Sequence, residues 1–459
     1  MNYLGIEYDI KNKPVLDEGF IPFGVWAKAY LEGATNPIKI AIERENGLIT
    51  VREYAIRGEE FAEANYRFVE RMVKFLLWSV GGFKVYVLGA DDIADKLAAA
   101  YCEGGEREFD YGFFHDVYEQ WLEVVKCTED TFPAANECAK PIGGHMEGCR
   151  IGFDAGGSDR KVSAVIDGET VYSEEVVWFP KITEDPDYHF NEIVTAFKTA
   201  ASKMPRVDAI GVSSAGTFVG NSPMVASLFI KVPRERREEV KSIYDRAGAA
   251  LDPNIPLVVA NDGDVSALAG AMGTGKGNMM GLAMGTSEAV GYVDVDRNVL
   301  GWINELAFAP VDLSPDAMQD EWSFDYGVGC KYFSQDAVIK LAPRCGIELD
   351  PELSPAEKLK VVQALANDGD ENALDIYRSI GVYLGHTVMQ YCMFYDLETL
   401  MIMGRVASGK GGDLLLEVAN KVIAEEYPEV AAHTNVCMPD EMMRRVGQSV
   451  AAASLPALA

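Results

Sequence analysis

The sequence predicts an α/β protein built of several parts, and three observations carry that prediction. From residue 150 onward, short apolar runs of strand length alternate with longer stretches of helical spacing. Two of those runs share one design, a strand, a glycine-bearing turn and a second strand: "RIGFDAGGSDRKVSAVI" around Gly156 and "MMGLAMGTSEAVGYVDV" around Gly285. At 459 residues the chain is too long to close around one core, so two or three domains are expected.

Residues 1–149 read as an α/β unit of their own. "IKIAIERENGLITVREYAI" predicts a hairpin turning at Glu45-Asn46-Gly47, "ANYRFVERMVKFLLWSV" a helix, and "KVYVLGADDIADKLAAAY" a strand, a turn and a helix. Residues 130–148, rich in Pro, Gly and small side chains, are the expected linker. Beyond them, "DAIGVSSAG" and "IPLVVANDGD" are apolar strands that end in small polar residues. "TLMIMGRVASGKGGDLLLEVANKVI" runs from a strand through a glycine turn into a helix. "SPAEKLKVVQAL" starts a helix with Ser354 as N-cap, Pro355 at the first position and Glu357 closing a capping box.

Composition narrows the function. With 41 basic and 71 acidic side chains and a formal charge of −30, the chain repels polyphosphate backbones, so nucleic acid is not an expected partner. An anionic small molecule would have to be held locally, by glycine-rich loops, helix ends or a metal ion. The start has no basic stretch leading into an apolar one, and "MVKFLLWSVGG" is far short of a membrane span. The eight cysteines are scattered without a CxxC pair. This argues for reduced thiols and a cytoplasmic location, and against a disulfide framework or zinc knuckle. "GAMGTGKGN" nearly spells a phosphate loop, but Gly277 stands where a hydroxyl is required and a helix precedes it. A glycine-rich helix end explains the run.

Four segments carry candidate chemistry. "DAGGSDRK" places Asp154 at a strand end beside Gly156, Gly157 and Ser158, whose amides phosphate oxygens can approach closely. "AMGTSEAVG" offers Gly285, Thr286 and Ser287 in a second turn, and "IMGRVASGKGG" offers Gly404 and Gly409 where a flat base can pass near backbone. "ANDGD" sets Asn261 and Asp262 before a helix. Taken alone, that pair reads equally well as an ordinary N-cap.

In this order the segments resemble the actin-like sugar-kinase superfamily, and within it the repressor/open-reading-frame/kinase (ROK) family. "GFDAGGSDRKVSAVIDGE" is similar to the family's DxGGTxxxxxxxDxxG opening, and "ANDGDVSALAGAMG" to its NDANAAALGE segment. "GWINELAFAPVD" resembles GxAGExGHxxVD, "DYGVGCKYFSQDAV" the stretch around GCxExxxS, and "RRVGQSVAAASLPAL" the closing helix. The resemblance spans about residues 150–456. It implies two actin-like (ribonuclease H-like) lobes with a cleft between them: residues 150–262, then 263–439, with a C-terminal helix in 440–459 packing back on the first lobe. The resemblance also implies roles. Asp154 would hold Mg²⁺ through water, and Gly156, Gly157, Ser158, Gly285, Thr286 and Ser287 would cradle the phosphates. Gly404 and Gly409 would border the adenosine, and Asp262 would act as general base. Asn261, Glu305, Ser214 and Gly216 would hold the sugar. ATP is then the co-substrate, a sugar the other partner, and a homodimer the implied assembly. The alternative kept open is a regulator of the same fold that binds nucleotide or sugar without catalysis.

Three departures from the family pattern stand out. The CxCGxxGC zinc loop is reduced to Cys330, so no zinc is expected. The histidine position after the glutamate motif holds Phe308, preceded by Ala307. Lys331 and Tyr332 follow Cys330 where a glutamate belongs. Trp322, Phe324, Tyr326 and Tyr332 could form a different acceptor pocket or pack in the core. Residues 1–149 carry 15 basic and 26 acidic side chains, the wrong sign for a DNA-binding arm, and their role is open.

Overall fold

The computed structural model describes residues 1–137, 142–441, 443–444 and 446–458. Part of the expected linker, 138–141, lies outside the described residues, as do positions 442, 445 and 459 of the C-terminal segment.

The first glycine-turn unit grows into a five-stranded sheet. Strands Cys149–Ala155, Asp159–Ile166 and Glu169–Val177 form an antiparallel meander, and Ala209–Ser214 and Leu257–Asn261 add in parallel on the other side of Cys149–Ala155. Alternation decides which side chain goes where. Ile151, Phe153 and Ala155 enter a core with Trp178, Ile193 and Phe197, and the opposite face carries Gly152 and Asp154. Gly152 and Gly211 are register partners and together leave a shallow trough. A Cβ on Gly152 would lie 1.7 Å from the Ser449 carbonyl oxygen, and one on Gly211 1.7 Å from that of Ala452. The helix Gln448–Ala453 lies in that trough, with the Ser163 and Ser449 hydroxyls 2.7 Å apart.

The second unit repeats the plan. Met279–Met284 and Glu288–Val293 pair antiparallel, and Thr399–Met403 and Asn435–Cys437 extend the sheet in parallel. Between the two sheets runs the helix Asp262–Thr274, whose buried set is Val265, Ala267, Leu268, Ala269, Gly270 and Ala271 together with Asp264. A helix apolar nearly all round has to be covered on several sides, and small side chains permit the close approach. It ends within the rejected phosphate-loop match, whose first half is its last turn: Gly275, at φ 72°, donates to the Ala271 carbonyl. The Ser354–Glu357 capping box forms as its sequence predicts.

In the N-terminal segment the predicted hairpin forms as strands Asn36–Arg44 and Leu48–Ile56. Lys84–Leu88 and Glu123–Cys127 complete a four-stranded sheet. The buried residues of this segment do not close a core of their own. They belong to one continuous cluster with the second sheet and its helices. The helix Phe23–Glu32 lies on Glu371–Tyr391, where a Cβ on Gly24 would meet the Gln390 Cβ at 2.6 Å. Phe75 stacks on Phe394 with ring centroids 3.8 Å apart. Toward the first sheet the contacts are polar: Lys241 pairs with Glu119, and Arg237 approaches Asp116 at 3.9 Å. No helix among the described residues is long and apolar enough to cross a membrane.

Candidate active site

The residues singled out in the sequence gather where the two glycine-turn sheets meet the helix Asp262–Thr274. Asp154 is the penultimate residue of its strand, directly opposite Ser213, whose hydroxyl donates to Asp154 Oδ1 at 3.0 Å. Burial pushes Asp154 up to about 6, with the Ser213 bond opposing and the nearby Asp262 charge adding to the shift. In the turn that follows, the Trp178 indole donates to the Gly156 carbonyl at 2.7 Å. A Cβ on Gly157 would stand 2.8 Å from Lys181 Nζ. A cation therefore sits over backbone that has no side chain to block an anion.

Asn261 caps the helix: its Oδ1 accepts from Gly263 N at 2.7 Å while its Nδ2 donates to the Gly216 carbonyl at 2.8 Å. Asn261 is thus the N-cap, and Asp262 is left at the first helical position, where Oδ1 accepts weakly from the same Gly263 amide at 3.1 Å. Burial raises the Asp262 carboxyl above its ordinary range, against the pull of these amides and of Lys181. Gln448 of the C-terminal helix donates to both Ser213 Oγ and the Asp262 carbonyl, each at 3.0 Å.

Glu305 is raised to about 7 by burial and by the Asp262 charge, with a bond to Thr217 opposing. Glu288, the first residue after the second turn, is pushed up to about 8 by burial, and Glu305 adds to it. Its Oε1 accepts from the Tyr391 hydroxyl at 3.0 Å, while Oε2 is buried without a partner. Asp264, raised to about 7 by burial, accepts from Tyr292 N and Asn304 Nδ2. Asp154, Asp262 and Glu305, each half-buried, and the buried Glu288 therefore feel one another's charge: Asp262 raises Asp154 and Glu305, and Glu305 raises Glu288.

The second turn is tied to the same place. A Cβ on Gly291 would fall 2.0 Å from the Gly263 carbonyl carbon, so the start of the Asp262 helix rests on the strand that leaves the turn. Gly285 accepts from Gln335 N at 2.9 Å, and Thr286 and Ser287 are exposed. Gly404, at φ 95°, passes so near Met284 that a Cβ would meet its carbonyl oxygen at 2.4 Å. Val406 N donates to that oxygen at 3.1 Å. Gly409, at φ 72°, opens the helix Gly409–Glu426 beside Asn367.

Other predicted residues sit differently. Ser214 is fully buried, and its hydroxyl accepts from Tyr244 at 2.7 Å. Trp322, Phe324 and Tyr326 are 70%, 68% and 50% exposed, away from any core, while Tyr332 is buried and donates to Asp312 Oδ2 at 2.6 Å. Sequence reasoning missed Lys181, Asp264 and Glu288. The last two stand inside quoted motifs and carried a readable signal, a carboxylate two residues after Asp262 and one three residues after Gly285, each entering an apolar element. Lys181 carried none.

No family model matches the chain, and no curated protein matches it. Among solved structures, the ROK hexokinase from Thermus thermophilus is similar at 16% identity and a TM-score of 0.51, over 67% of this chain and 97% of that one. A ROK family transcriptional regulator, a homologue of the E. coli MLC protein, is similar at 18% identity and a TM-score of 0.50, over 68% of this chain and 79% of that one. The chain has the α/β fold of these proteins.

Proposed function

We propose that the protein is an ATP-dependent carbohydrate kinase with Asp262 as general base. The observation that carries this reading is the half-buried, desolvated Asp262 carboxyl at a helix start, within electrostatic reach of Asp154, Lys181 and Glu305, with the strand after the second glycine turn packed on the same helix start. In the proposed reaction Asp262 takes the proton of a sugar hydroxyl as that oxygen attacks the γ-phosphorus. The bond from phosphorus to the β,γ-bridging oxygen breaks, and ADP leaves with that oxygen. Burial suits the role, because a carboxylate raised above its usual range is the stronger base. Gly156, Gly157, Ser158, Gly285, Thr286 and Ser287 offer amides and hydroxyls to the phosphates, with Lys181 as the added cation. Gly404 and Gly409 border the nucleoside. Asn261, through its hold on Gly216, and Glu305, through Thr217, align the acceptor.

Among the described residues no three acidic, cysteine or histidine side chains are grouped to hold a metal. That fits a Mg²⁺ taken by Asp154 alone, since this ion keeps its waters and leans on substrate phosphates. When bound it would supply charge neutralisation of those phosphates. The proposed division of labour assigns 150–262 and 263–439 to the two lobes, 440–459 to the segment bracing the first, and 1–149 to a region fused to the second.

An ADP-release assay over a sugar panel tests the reading. Asp262→Asn should lower turnover by roughly 10²- to 10⁴-fold and spare nucleotide binding. Turnover equal to that of the unaltered protein would refute the base. Sugar binding without ADP release across the panel would favour the regulator.

A further inference from the structure

The helix Gln448–Ala453 is seated on the first sheet with little freedom. A Cβ on Gly152 would lie 1.7 Å from the Ser449 carbonyl oxygen, and one on Gly211 1.7 Å from that of Ala452, so not even a methyl group fits between. The Ser163 and Ser449 hydroxyls, 2.7 Å apart, fasten the helix along the trough. Its first residue, Gln448, therefore reaches the candidate site from a fixed place.

The Gln448 amide has two protons and two acceptors within reach. Nε2 donates to Ser213 Oγ and to the Asp262 carbonyl, each at 3.0 Å. A carbonyl can only accept, so the second bond settles which end of the amide faces inward. Ser213 is fully buried, and its oxygen takes a proton from Gln448. Its own single proton is thereby turned to Asp154 Oδ1, at 3.0 Å. The direction of this relay is set: Gln448 to Ser213, and Ser213 to Asp154. Asp154 Oδ2, which no described side chain holds, is left for the water of a cation.

We infer that Gln448 is a positioning residue for the proposed transfer. Through Ser213 it orients the carboxylate that would hold Mg²⁺, and through the Asp262 carbonyl it tethers the helix start that carries the base. The inference rests on the kinase reading for the roles of Asp154 and Asp262. It makes the C-terminal segment part of the active site, with one side chain tied to both aspartates. The fold itself does not require these bonds. Without Gln448 the Asp262 carbonyl keeps the Ser266 hydroxyl at 2.8 Å, and Ser213 still donates to Asp154.

Electron paramagnetic resonance of Mn²⁺, titrated into the full chain with a non-hydrolysable ATP analogue, tests this without turnover. Gln448→Met is of similar length and has no donor. It should weaken Mn²⁺ binding about three- to tenfold, the scale of one hydrogen bond. Ser213→Ala should do the same. The double variant should bind within about twofold of the weaker single one, because Gln448 acts on Asp154 only through Ser213. Gln448→Asn, one carbon too short to reach both acceptors, should also weaken Mn²⁺, which keeps the test sharp if the Met variant folds poorly. Losses that multiply in the double variant, or Mn²⁺ affinity unchanged in both Gln448 variants, would overturn the inference. Unchanged Mn²⁺ affinity in Gln448→Met, with ADP released from a sugar at the parent rate, would sink it and leave the kinase reading intact. Coupled Mn²⁺ losses with no ADP release from any sugar would keep the relay and remove the kinase. A parent chain that holds no Mn²⁺ with the analogue would overturn both.

Discussion

Asp325 lies on the loop where the resemblance would place a zinc site, and its replacement by Asn tests what holds that loop. Its carboxylate accepts from Arg71 Nη1 and Arg107 Nη1, each at 2.8 Å, with Lys74 Nζ at 3.2 Å. All four side chains are at most 5% exposed. Glu70 bridges Arg71 and Arg107, and Asp110 pairs with Lys74, so the buried cations Arg71, Lys74 and Arg107 are balanced by Glu70, Asp110 and Asp325. Burial alone would raise Asp325, but the three cations overcome it and hold the carboxyl well below its ordinary range. Asp325→Asn leaves one buried positive charge uncompensated, and breaking such a pair from one side costs about 3–5 kcal/mol. At about 1–2 °C per kcal/mol for a chain this long, the melting temperature should fall by roughly 3–10 °C. Adding Lys74→Met restores neutrality and should recover part of the loss. Chymotrypsin gives an independent reading: Trp322, Phe324 and Tyr326 are exposed on this loop, and cleavage there should quicken in the single variant. A melting temperature within about 2 °C of the unaltered protein, with unchanged cleavage, would refute the idea that these charges fix the loop.

Three further outcomes follow from the same physics. Glu288, with a folded value near 8 against an ordinary 4.5, contributes fully below pH 4.5 and loses its contribution as pH rises to about 8. Glu288→Gln should therefore match the parent in melting temperature near pH 5 and exceed it near pH 8.5, and parallel curves would refute the assignment. Glu70, held near 2 by Arg107 and Arg71 against burial, works the other way. Its contribution is complete above pH 4.5 and declines as pH falls toward 2, so Glu70→Gln should lose stability at pH 7 and differ far less from the parent near pH 2. Gly211→Ala forces a Cβ to 1.7 Å from the Ala452 carbonyl oxygen. It should cost about 1–3 kcal/mol in urea unfolding, and an unchanged midpoint would mean the C-terminal helix is not seated there.

Much of the fold was legible because it rests on local rules. Alternation located the two glycine-turn hairpins, and the helix starts at Ser354 and Asp262 obeyed capping chemistry. The residues at strand ends were legible for the same reason, since a carboxylate or glycine closing an apolar run is visible in one dimension. What escaped was long-range. Arg71 and Lys74 lie in a predicted helix and Arg107 in a stretch given no element, and nothing nearby in sequence says that they converge on Asp325. Lys181, in a short 3₁₀ turn, has meaning only beside Gly157. The aromatic residues of the loop were read as pocket or core because apolar area is usually buried. Here Asp320, Ser323 and Asp325 face inward through hydrogen bonds and leave Trp322, Phe324 and Tyr326 outside.

The departures from the family pattern meet in one place. Phe308, standing where a histidine is the pattern, packs against Trp78 at 4.6 Å and Phe109 at 5.2 Å between ring centroids. Both partners belong to the N-terminal segment. Asp325, in the loop where the resemblance would place cysteines, is gripped by cations from that same segment. An apolar ring at 308 needs apolar cover, and the Asp325 carboxylate needs buried cations; residues 62–118 supply both. That segment shares an apolar core with the second sheet and meets the first sheet's side through charged pairs, so its grip on Phe308 and on Asp325 belongs to the second sheet's core.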